Sequence, residues 1–91
     1  MAVEIRLPTI LRQDAGGQAT VQGQGSTLGE VLEDLVRQFP NLAGKVVTED
    51  GNLHKFVNVY VNDDDVRYLD KLDTKVGGDD SISILPAVAG G

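Results

Sequence analysis

Side chains able to do chemistry are scarce in this sequence, and the strongest chemical candidate is a main-chain group. The sequence closes on Ile84-Leu85-Pro86-Ala87-Val88-Ala89-Gly90-Gly91. Pro86 withdraws a backbone donor and is expected to stop the pairing of a strand that ends at Leu85. Gly90 and Gly91 have no Cβ and can thread a channel too narrow for other residues. The Gly91 α-carboxylate could thus be presented deep inside another protein, although the same glycines would also suit a plain frayed end. There is no cysteine, which excludes disulfides, thiolate metal sites and a cysteine nucleophile. Any covalently carried sulfur would have to ride on a carboxylate as an acyl species, and that of Gly91 is the most accessible.

The other chemical candidates read as structure. His54 is the only histidine; no serine, cysteine or second histidine is arranged with it, so a surface or loop position is expected. Asp63-Asp64-Asp65 lacks the alternating ligand spacing of a calcium loop and reads as a solvated turn. Glu49-Asp50 has no second group to complete acid–base work. Gly16-Gly17 and Gly77-Gly78 are turns and not phosphate cradles. The reading is therefore of a protein with no catalytic residues and no metal site, and not of an enzyme.

Composition narrows the class further. Ninety-one residues form one small domain, which should bury roughly 60–70% of its unfolded surface. The formal charge of −6 argues against nucleic-acid binding, which wants a basic face, and is compatible with a basic partner groove. No basic-then-apolar leader pattern is visible and no apolar run approaches spanning length, so a cytoplasmic protein without a membrane role is expected.

These groups must be positioned by a short series of elements. Val3, Ile5 and Leu7 alternate with Glu4 and Arg6 as a half-buried strand ended by Pro8. A loop over 9–17 follows, with Ile10 and Leu11 as anchors, then a weaker strand over about 18–22 with Ala19 and Val21 inward. Thr27-Leu28-Gly29-Glu30 has capping-box form. After it, Leu28, Val31, Leu32, Leu35, Val36 and Phe39 make a helical apolar stripe that Pro40 stops. Residues 42–53 read as irregular, with Asp50-Gly51 a tight reversal. Residues 56–61 are a strong strand, with valines on one side and Phe56, Asn58 and Tyr60 on the other. Asn62-Asp63-Asp64 is a turn, Val66, Tyr68 and Leu69 a short edge strand, Leu72 and Val76 anchors, and 81–85 a last strand. This order predicts an α+β domain over 1–85, a mixed sheet of four to five strands with one main helix across it. The first and last strands should lie side by side in the middle, the β-grasp arrangement of ubiquitin-like proteins. Residues 86–91 would be a flexible tail.

The residues that match a known pattern run from Phe56 to Asn62, with Asp65-Val66-Arg67, and from Gly78 to Gly91. On them, and over essentially its whole length, the chain resembles the MoaD/ThiS family of ubiquitin-like sulfur carriers. Pro8 to Arg12, His54 to Asn58 and Leu85 to Gly91 are most similar to carriers used in an O-phosphoserine-dependent route to cysteine. Two points separate it from other branches: the molybdopterin-synthase small subunit has Pro-Pro where this chain has Pro86-Ala87, and thiamin carriers are usually shorter. The resemblance implies a cycle run by partners. An E1-like activating enzyme adenylates the Gly91 carboxylate with ATP, and a sulfur donor displaces AMP to leave a thiocarboxylate. A cysteine synthase holding pyridoxal phosphate supplies an aminoacrylate for the sulfur to attack, an acyl shift follows, and a zinc-dependent peptidase releases cysteine. ATP, pyridoxal phosphate and zinc are expected on those partners, with no cofactor bound by this chain. A molybdopterin synthase small subunit and a ubiquitin-like protein modifier are the alternatives.

The tail's energetics set a further requirement. Ordering Pro86 to Gly91 in a partner costs about 1–2 kcal/mol per residue, on the order of 6–12 in all. Burying Val88 returns only about 1.5–3 kcal/mol. Pro86, Ala87, Val88, Ala89 and Gly90 can line a partner's tunnel, but the folded body must supply a docking surface. The sheet face opposite the helix is the candidate, with Phe56, Asn58 and Tyr60 as its first residues, provided that their side of the strand faces out.

Overall fold

The computed structural model describes residues 2–48, 53–54 and 57–86. Its strands are β1 (Ala2–Arg6), β2 (Thr20–Gln24), β3 (Val57–Val61), β4 (Asp64–Asp65) and β5 (Ser81–Pro86). A four-residue helix α1 (Thr9–Arg12) precedes the main helix α2 (Leu28–Gln38). The sheet order is β2-β1-β5-β3-β4. β1 pairs parallel with β5 and antiparallel with β2, and β5 pairs antiparallel with β3. The first and last strands are therefore neighbours at the centre, with α2 packed on one face. This is the expected β-grasp arrangement.

Packing follows the helical stripe. Leu28, Val31, Leu32 and Leu35 are fully buried, and Val36 and Phe39 pack against the same core. From the sheet, Val3, Ile5, Val59, Ile82 and Ile84 meet them, each no more than 1% exposed. Thr27 caps α2 by accepting from the Glu30 N–H at 3.2 Å. Glu30 reaches one residue beyond Thr27 and accepts the Ser26 N–H at 2.7 Å. The first satisfies a donor left without a helical partner at the first turn, and the second ties the residue before the cap back onto it.

The edge strand β2 is tied to α2 by polar side chains. Its Gln24 N–H donates to Asp34 Oδ2 at 2.9 Å, and its Gln22 carbonyl accepts from Gln38 Nε2 at 2.7 Å. An edge strand exposes such groups to foreign strands, and occupying them is one way to prevent that.

Four local expectations are corrected. β2 runs over Thr20–Gln24, two residues later than predicted; Ala19 is exposed and the inward residues are Val21 and Gly23. A Cβ on Gly23 would stand 2.8 Å from Val31 Cγ1 and 2.9 Å from Ile5 Cδ1, so the helix can lie this close only over glycine. Ile10 does not anchor the loop: it is 62% exposed on α1, while Leu11 is buried. The short edge strand is Asp64–Asp65, and Val66–Tyr68 form a 3₁₀ turn that buries Val66 and leaves Tyr68 exposed. Finally, β5 continues through Pro86, which pairs in register with Val57. The expected turn at Asp50-Gly51 lies outside the described residues.

Candidate functional site

Period two along the central strands decides which side chains face away from the helix. On β3 the valines point into the core and leave Asn58 and Tyr60 half-buried on the opposite face. The side of the strand proposed for docking is therefore the outward one. Phe56, the third residue of that set, lies outside the described residues, as do Ala87, Val88, Ala89, Gly90 and Gly91. Pro86 ends β5.

Register assembles the rest of this face. Arg6 of β1 is opposite Ser83 of β5, Ser83 is opposite Tyr60 of β3, and Tyr60 is opposite Asp65 of β4. Leu85 is paired with Asn58 in the next outward row. Ser81 Oγ donates to Glu4 Oε2 at 3.1 Å, and Glu4 also lies 3.6 Å from Arg6 Nε.

Where this face meets the segment after β1, the surface folds into an open cleft of about 680 Å³. Its lining includes Arg6, Ile10, Arg12, Tyr60, Leu85 and Pro86. The local chain path makes this wall. Pro8 breaks the strand, Leu11 plugs into the core, and the Leu11 N–H donates to the Pro8 carbonyl at 3.0 Å. Ile10 is then left pointing away from the core, and Arg12 Nε donates to the Leu7 carbonyl at 3.1 Å. Sequence reading did not find Arg6, Ile10, Arg12 or Leu85 as site residues. The usable signal was an apolar Ile10 beside a Pro8 strand stop, where one of two adjacent apolar residues must face out.

The acidic triplet has a structural use at one position. Asp65 caps the 3₁₀ turn by accepting the Arg67 N–H at 2.9 Å, and pairs with Arg67 Nη2 at 2.8 Å. The Arg67 side chain is the main cause that holds the Asp65 carboxyl below its ordinary value, and Asp65 in turn raises the Arg67 guanidinium. His54 sits half-buried in a loop, its N–H donating to the Val46 carbonyl at 2.8 Å. Among the described residues no helix is long and apolar enough to cross a membrane.

A small β-grasp domain with an open, mixed outer face and a central last strand is the class that this geometry defines. The chain belongs to the ThiS family, whose profile matches residues 5–91. It is 46% identical over 93 residues to the sulfur carrier protein CysO of Mycobacterium tuberculosis, with 100% of both chains covered. It is 43% identical to a chain in the crystal structure of the Amycolatopsis orientalis BexX/CysO complex, with a TM-score of 0.89 and 99% of this chain and 100% of that one covered. The small archaeal modifier protein 3 of Haloferax volcanii is 33% identical over 93 residues, again with 100% of both chains covered.

Proposed function

We propose that this protein is a sulfur carrier for cysteine biosynthesis, activated at the Gly91 carboxylate and consumed as a C-terminal thiocarboxylate. The observation that carries the reading is the end-to-end alignment with a sulfur carrier protein at 46% identity. The fold supports it, because β5 is central in the sheet and runs to Pro86, so the residues beyond start from a fixed point.

In the first step a Gly91 carboxylate oxygen attacks the α-phosphorus of ATP in an E1-like activating enzyme. Pyrophosphate leaves and an acyl adenylate forms. A sulfide-level donor then attacks the acyl carbon, and AMP departs with the bonding electron pair. The product keeps one oxygen and gains one sulfur. With no cysteine in the sequence, no side-chain thiol competes intramolecularly for the acyl group. The sulfur acceptor would be a pyridoxal-phosphate-dependent cysteine synthase, and a zinc-dependent peptidase would free the cysteine and regenerate Gly91.

The test is intact mass after incubation with activating enzyme, ATP and a sulfur source, which should show one oxygen replaced by sulfur. Adding cysteine synthase and O-phosphoserine should then yield a cysteine adduct on Gly91. Removing Gly90 and Gly91 should abolish the exchange and leave thermal stability unchanged. A thiocarboxylate that survives the synthase and is discharged by a molybdopterin-synthase large subunit would move the protein to that pathway. A second reading, protein modification, is favoured by the similarity to an archaeal modifier protein. It predicts conjugates of higher mass through lysine amides.

A further inference from the structure

The helix side of the molecule carries an apolar groove and, close to it in the chain, the most exposed aromatic ring among the described residues. The groove runs beside α2 with a volume of about 290 Å³. Leu32, Val36, Val47 and Leu72 line it, and Glu33 is its one charged residue. Small-molecule pockets span roughly 300–1,000 Å³, so this volume suits a single side chain better than a cofactor.

Tyr68 is 87% exposed, and Leu69 beside it is 42% exposed. The ring projects from a fixed base. Val66 is buried under the 3₁₀ turn, and Asp65 holds that turn through the Arg67 N–H at 2.9 Å and the guanidinium at 2.8 Å. Lys71, at a φ of 52°, turns the chain again. Leu72 then meets α2 at Gly29, where an added Cβ would stand 3.2 Å from the Leu72 carbonyl oxygen. Leu72 is itself a wall of the groove, so the exposed ring and the groove belong to one short stretch of chain.

A protruding ring and an apolar groove on neighbouring surface are self-complementary about a twofold axis, each copy's ring entering the other's groove. The groove is open, so a tyrosine can lay its ring along the apolar wall and keep its hydroxyl in water. Charge agrees with the pairing. Among the described residues neither Glu33 nor Lys71 has an ion-pair partner. One lies in the groove and the other follows the ring by three positions, so the twofold sets Lys71 of each copy toward Glu33 of the other. The formal charge of −6 on each chain opposes association through acidic surface and keeps the contact weak.

We propose that the groove beside α2 is the contact of a weak homodimer, in which Tyr68 of each copy fills the groove of the other and Lys71 meets Glu33 across the interface. The groove is on the α2 side of the sheet, so pairing leaves Tyr60 and Leu85 on the outer face uncovered.

The experiment is sedimentation equilibrium over a range of protein concentrations. The unaltered chain should show a monomer–dimer equilibrium with a Kd of about 10–500 µM, the weak range open to a small interface. Tyr68→Ser alters an exposed residue, so the fold should survive, and it should raise Kd about tenfold or more. Tyr68→Phe keeps the ring and should pair like the unaltered chain. Glu33→Lys and Lys71→Glu should each raise Kd about threefold or more, and the double exchange should return it to within about twofold. A chain that stays monomeric up to about 1 mM would overturn the dimer and leave the groove to a different partner. A dimer that Tyr68→Ser does not weaken would overturn this interface. Species growing beyond the dimer would overturn the twofold arrangement, because an open contact does not close on itself. A double exchange no better than either single one would overturn the Lys71–Glu33 pairing.

Discussion

Five residues of β3 show the two faces of the sheet obeying different rules. Val57, Val59 and Val61 are 9%, 1% and 6% exposed, while Asn58 and Tyr60 between them are half-buried on the other side. β5 repeats the division, with Ile82 and Ile84 inward and Ser81, Ser83 and Leu85 outward. The inner face is fixed by burial against α2 and tolerates little. The outer face is joined by contacts such as Ser81 to Glu4 and the loose Glu4–Arg6 pair, and exposed pairs of this kind contribute about 0–1 kcal/mol each. Stability is thus concentrated on one side, and the other side contributes little to it.

The harshest way to break that division is to remove volume from the inner side. Leu32 and Leu35 are both 0% exposed at the centre of the α2 stripe. Either residue changed to alanine should cost about 2–5 kcal/mol in urea unfolding. Near-neutral results would mean that the stripe is a binding face and the core lies elsewhere.

Adding volume should hurt less, and it tests the closest point between helix and sheet. In Gly23→Ala the new methyl would lie 2.8 Å from Val31 Cγ1, 2.9 Å from Ile5 Cδ1 and 3.1 Å from the Val31 carbonyl. The side-chain tips can give way but the carbonyl can do so only if α2 shifts, so a loss of about 1–3 kcal/mol is expected. Unchanged stability would show that α2 is free to ride outward.

The same contact explains what could and could not be read in the sequence. α2 was legible because six apolar residues recur at helical spacing behind a capping pair. β3 was legible from its alternating valines. β2 was misplaced by two residues because its key inward position, Gly23, has no side chain and so leaves no hydrophobic signal. α1 was missed because four residues after Pro8 are too few to show a period, and Ile10 looked like an anchor when only Leu11 could reach the core. The cleft was illegible for a different reason. Arg6, Tyr60 and Leu85 come from β1, β3 and β5 and are brought together by the sheet register, while the chain path after Pro8 adds Arg12 from α1.

A gentler experiment sharpens the contrast from the outer side. Ser83 lies between Arg6 and Tyr60 on the central strand, facing away from α2. Ser83→Val places a strand-favouring residue there without entering the core. It should be neutral or slightly stabilising, within about 1 kcal/mol by thermal or urea denaturation. A loss as large as that expected for Leu32→Ala would mean that this face is packed against something in the folded chain.

The smallest effect belongs to the seam between α2 and the edge of the sheet, and it should be visible only in acid. Asp34 has its carboxyl held below the ordinary 3.8, first by the Gln24 N–H, then by the Gln38 side chain and the Arg37 charge, against a desolvation effect that opposes them. A carboxyl whose folded value is depressed binds protons less readily folded than unfolded. Its contribution is therefore complete above the unfolded value and is lost as pH falls through the lower folded one. In Asp34→Asn that loss cannot occur, so stability should fall less steeply below about pH 4 than in the unaltered chain. Asp65, whose carboxyl Arg67 lowers in the same direction, stays in both proteins and leaves a common residual slope. Urea midpoints measured from neutral pH into acid would settle it. Superimposable pH profiles would mean that Asp34 does not hold β2 to the helix in solution, and that the sheet's edge is guarded by Gln38 alone.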